Sequence, residues 1–99
     1  MQRGDLVKLK ERLRDSQVFM YTDAQMKRME ALIYIEHYTF NIVEDNQACM
    51  SSEDSAVILQ MRDIHKDGNG VDIVWDRFVK IVTSNGTLGW VPRSYLTKV

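Results

Sequence analysis

Two histidines, a single cysteine and a pair of nearby aspartates are the side chains of this sequence best equipped for chemistry. His37 and His65 could carry protons or bind a metal, but either task needs partners at a fixed spacing. Neither stands in a paired-cysteine or His-Glu-x-x-His pattern. Cys49 would act as a nucleophile only with a base held beside it. Its neighbours Ala48 and Met50 supply none, so a small, half-buried apolar role is expected. Asp72 and Asp76 fall on one side of an alternating stretch, where carboxylates mostly serve solubility. Gly68-Asn69-Gly70 and Asn85-Gly86-Thr87-Leu88-Gly89 are not followed by the Gly-Lys-Ser/Thr of a phosphate loop. The serines lack a Gly-x-Ser-x-Gly elbow. The expectation is a protein that is not an enzyme, with no catalytic residue, metal or cofactor.

Recognition is the remaining chemistry, and the tail of the chain organises it. Asn85-Gly86 signals a tight hairpin, here a type I′ turn in which both residues take positive φ. Phe78 to Thr83 precedes it and Leu88 to Val91 follows, both rich in strand formers. Pro92 ends the second strand because it has no N–H for the ladder. Arg93 to Leu96 then fits a single 3₁₀ turn that returns Leu96 to the core.

The run Gly86-x-x-Gly89-Trp90-Val91-Pro92-x-x-Tyr95-Leu96 resembles the C-terminal end of SH3 and SH3-like barrels. The start Gly4-Asp5-Leu6-Val7-x-Leu9 is similar to the first strand of such small barrels. The resemblance implies a mainly β domain, an SH3-like barrel of five to seven strands. In it the first strand lies beside Leu96 to Val99 and closes the barrel. It also implies an aromatic groove for partner binding, with Pro92 and Tyr95 at matching positions. The Ala-x-Tyr-x-Tyr run and the paired tryptophans of peptide-binding SH3 domains are absent. Trp75 and a tyrosine such as Tyr21 are the expected substitutes, and a use other than proline-peptide binding is favoured.

Ninety-nine residues form one domain, 1–99. Apolar residues make up 44% and charged residues 27%, which is globular rather than disordered composition. A net charge of -1 argues against coating nucleic acid by bulk charge. No apolar run approaches the ~18 residues of a membrane helix, so no membrane association is expected. The start lacks a signal-peptide core, which points to a cytoplasmic or virion-associated home.

Between the ends the pattern alternates. Lys8 and Lys10 point outward from a first strand, and Glu11 to Ser16 is a charged connection. Val18-Phe19-Met20-Tyr21 is the first apolar cluster. Thr22 or Asp23 caps a helix near residues 23–31, with Met26, Met29 and Ile33 on its apolar face. Residues 32–43 read as a strand, and Glu44 to Ser55 as a mobile acidic loop. Ala56 to Ile64 is a central strand, and His65 to Gly70 a turn. Val71 to Thr83 is too long for one ordinary strand, so a bulge near Asp76-Arg77 is expected.

Two functions follow. The first is a non-enzymatic binding or assembly module acting through protein–protein contacts at Trp75, Pro92, Tyr95 and Tyr21, as in small phage and bacterial accessory or adaptor proteins. The second is nucleic-acid binding of the KOW or Tudor barrel type, with Lys8, Lys10, Arg12 and Arg14 meeting phosphates. Arg93 and Lys98 approach that cluster if the terminal strands pair.

Overall fold

A computed structural model of the chain describes residues 1–31, 44, 46–68 and 71–99. The fold is mainly β. Strands β1 (Leu6–Leu9), β4 (Ser55–Gly68), β5 (Val71–Thr83), β6 (Leu88–Pro92) and β7 (Leu96–Lys98) form one antiparallel sheet in the order β6-β5-β4-β1-β7. Strands β2 (Val18–Phe19) and β3 (Cys49–Met50) form a second, two-stranded sheet. Among the described residues, helix α1 spans Asp23–Ala31, and 3₁₀ turns occupy Glu11–Leu13 and Arg93–Tyr95.

The terminal strands pair as the sequence implies. Val7 faces Lys98 and Leu9 faces Leu96 across the β1–β7 ladder. The strand alternation holds in β1, where Val7 and Leu9 are buried and Leu6 and Lys8 are exposed. The ladder does not close into a barrel among the described residues: β6 and β7 are its two edges. The outer edge of β6 is covered instead by Tyr21. Tyr21 and Trp90 exchange both backbone hydrogen bonds at 2.8 Å. That bridge ties the small sheet to the large one and satisfies an edge that would otherwise stand open.

Two apolar clusters lie on opposite faces of β5 and β6. Val79, Ile81 and Val91 join Val7, Leu9, Val18, Met20, Met50, Ile58 and Leu96 in the larger. Phe78 and Trp90, pointing the other way, meet Met26 and Met29 of α1, and Ile64. The methionines sit at helical spacing, so one helix face fills this second layer. Thr22 is the N-cap: its Oγ1 accepts from the Gln25 N–H at 3.1 Å, and Gln25 Oε1 accepts from the Thr22 N–H at 2.8 Å. That is a reciprocal capping box. Arg62 on β4 donates to Glu30 near the other end of α1.

Three sequence expectations are corrected. The Asn85-Gly86 connection is not a type I′ turn, since Asn85 does not take positive φ and only Gly86 does, at 88°. Gly86 N–H donates to Thr83 O at 2.9 Å, giving a type I turn followed by a left-handed glycine. The Asn85 side chain favours this form by bonding to Thr87 Oγ1 at 2.9 Å. His65 to Gly68 is not a turn but the end of β4, because Asp67 pairs with Asp72 and Gly68 with Val71. The bulge expected near Asp76-Arg77 is present in β5, at Trp75, where Ile64 pairs with Asp76 and His65 with Val74. A second bulge, unforeseen, falls at Leu59, between the pairs Ile58–Ile81 and Gln60–Lys80. The stretch from Glu44 to Ser55 is not all loop, since β3 pairs Cys49 with Phe19 and Met50 with Val18. The strand expected over 32–43, with His37 and Ile33, lies outside the described residues.

Candidate functional site

The N-terminal apolar cluster and the tail converge on a cleft of about 250 Å³. Leu13, Val18, Phe19, Tyr21, Pro92 and Tyr95 form its apolar and aromatic lining. Each is placed by a local rule. Val18 and Met20 are buried, so alternation turns Phe19 outward, where it stays 44% exposed. Tyr21 is fixed by its backbone bridge to Trp90, and its ring meets Phe78 edge-on at 6.2 Å. Pro92 ends β6, and the 3₁₀ turn behind it carries Tyr95 to the opposite wall. Burial, together with the neighbouring Tyr95 phenol, pushes the Tyr21 hydroxyl above its usual pKa. The Tyr21 phenol is therefore a neutral hydrogen-bond donor at physiological pH.

Of the four expected partner-binding residues, Tyr21, Pro92 and Tyr95 come together. Trp75 stands at the bulge of β5, and its side chain lies outside the described residues. Sequence reasoning overlooked Phe19, which lies inside a continuous apolar run and on a strand of only two residues. Trp90, central to the recognised tail motif, is not part of this wall. It is buried, 3% exposed, and donates its indole N–H to Asp23 Oδ1 at 2.7 Å. Lys80 Nζ bridges Asp23 at 3.2 Å and stands 6.0 Å from the Trp90 ring centre. Hydrogen bonding from Trp90, then from Lys80, holds the Asp23 carboxyl below the ordinary value of 3.8.

A second and larger depression, about 660 Å³, opens beside the β1–β7 pair. Lys8, Lys10, Arg14 and Lys98 line it, with Glu11, Ser52 and Thr97. The terminal pairing thus brings Lys98 to the early basic residues, as expected. Arg12 and Arg93 are not among its lining residues. Cys49 is partly buried in β3, with its thiol directed at Gln47 O at 3.6 Å. The side chains of His65, Asp72 and Asp76 lie outside the described residues. Among those residues no helix is long and apolar enough to cross a membrane. Compared with known proteins, the chain matches no family model, no curated protein and no solved structure.

Proposed function

We propose that this protein is a non-catalytic binding or assembly module of SH3-like organisation, which grips an extended segment of a partner protein in the Phe19–Tyr21–Tyr95 cleft. Three features support the organisation: β1 beside β7, the glycine-bearing β5–β6 hairpin, and the 3₁₀ turn that carries β6 into β7. The observation that carries the function is the cleft itself. A protein surface seldom leaves an aromatic ring as exposed as Phe19 beside two further tyrosines without a use. Tyrosine supplies broad apolar contact at low entropic cost and keeps a hydroxyl for a backbone carbonyl. Among the described residues the cleft lining is aromatic, aliphatic and neutral polar, which suits binding.

Selection of random linear peptides on the immobilised protein, followed by titration calorimetry, tests this. Enriched peptides should lose about tenfold or more in affinity with Phe19→Ala or Tyr95→Ala, a loss typical of anchor residues. Leu6→Ala removes an equally exposed apolar side chain outside the cleft and should change nothing. Failure to enrich any peptide, or equal losses in all three variants, overturns the reading.

A further inference from the structure

The basic depression has no part in that cleft, yet its construction is directed. Lys8 leaves β1, and Lys10 follows on extended backbone just beyond the strand's end, roughly 6.7 Å further along the chain. Lys98 arrives from β7 and Arg14 from the chain just beyond the 3₁₀ turn Glu11–Leu13. Among the described residues, four cations therefore share one hollow with one acid, Glu11. The protein as a whole carries a net charge of -1, so this positive field is local.

The available carboxylates do little to cancel it. Glu11 approaches Arg14 at 3.9 Å with both side chains largely in water. Asp5 approaches Lys98 at 3.6 Å. Among the described residues no carboxylate pairs with Lys8 or Lys10. The hydroxyls of Ser52 and Thr97 add neutral donors to the lining. Ammonium groups at a regular interval with hydroxyl donors beside them suit an evenly charged backbone.

We infer that this depression binds the phosphodiester backbone of a nucleic-acid strand. Lys8 and Lys10 meet successive phosphates, and Arg14 and Lys98 hold the strand from either side. The contacts are to backbone alone, so binding is independent of base sequence.

Fluorescence anisotropy with a labelled oligothymidine of about twelve nucleotides tests it on the full chain, a length within the site sizes of small single-strand binders. With about three phosphates neutralised, a log–log plot of affinity against salt between about 50 and 200 mM should have a slope near -2. Lys8→Glu combined with Lys10→Glu should weaken binding about tenfold or more through lost and reversed charge. Lys27→Glu combined with Arg28→Glu, the same charge change on the exposed side of α1, should leave affinity within about twofold. Circular dichroism confirms that each variant is folded. No binding at low salt, a flat salt dependence, or equal weakening by the α1 variant overturns the inference. So does binding to phosphatidylserine vesicles with none to the oligonucleotide. Phe19→Ala should leave oligonucleotide affinity intact, which separates this site from the peptide cleft.

Discussion

Gly89 and Met20 are packed against each other so closely that a Cβ added to the glycine would meet Met20 Cβ at 2.7 Å. The contact arises because the Tyr21–Trp90 bridge draws the chain before α1 onto β6. The glycine of the Gly-Trp pair is therefore required by proximity, since its φ is not positive. Gly89→Ala should destabilise the protein by about 1–3 kcal/mol, the usual cost of overpacking a tight contact. A urea midpoint no lower than that of the parent protein would contradict it.

Asp23 should make the Trp90 contact pH-dependent. Its carboxyl has a folded-state pKa below the unfolded one, so the ionised form favours the folded state. The stabilisation is fully present above the ordinary carboxylate value and disappears as pH falls through the lowered one. The indole N–H resonance of Trp90 should shift over that acid window. In Asp23→Asn the shift should vanish, and a resonance that still titrates would assign the effect elsewhere.

Met26 is the measure of how firmly α1 is docked. It is fully buried between the helix and the Phe78–Trp90 face. Met26→Ala should cost about 2–5 kcal/mol, as buried methionine truncations do. The amides of α1 should exchange faster in that variant while those of β1 and β7 are less affected. Uniform acceleration through the chain would mean that helix and sheet open only together.

The parts of the fold legible in the sequence were those where a residue has few backbone choices. Gly86 and Pro92 fix a left-handed position and a strand end locally, so the hairpin and the 3₁₀ turn behind it could be placed. Cap preference placed the start of α1 at Thr22 or Asp23, and the structure selects Thr22 through its reciprocal bonds with Gln25. The misreadings came where tertiary pairing overrides composition. His65-Lys66-Asp67-Gly68 has the composition of a turn, yet pairing with Val71 to Val74 holds it extended. The choice between turn types at Asn85 was decided by hydroxyl contacts from Thr83 and Thr87, which no dipeptide rule contains. The Tyr21–Trp90 bridge joins positions far apart along the chain, and nothing local marks either member. For the site, Pro92 and Tyr95 were legible through the motif of the tail, and Tyr21 as a tyrosine able to stand in for an absent one. Phe19 was hidden because a strand of two residues shows almost no period.

Between Phe78 and Ile81, β5 is packed on both sides, with only the Lys80 side chain reaching partly into water. Its odd positions face the larger cluster, while Phe78 and Lys80 face the α1 side with Trp90. A one-residue slip would press the Lys80 ammonium into aliphatic surroundings and tear Phe78 from its methionines. Both layers reject the same error at once. The helix thereby does more than cover a surface: it proofreads the alignment of the strand beneath it.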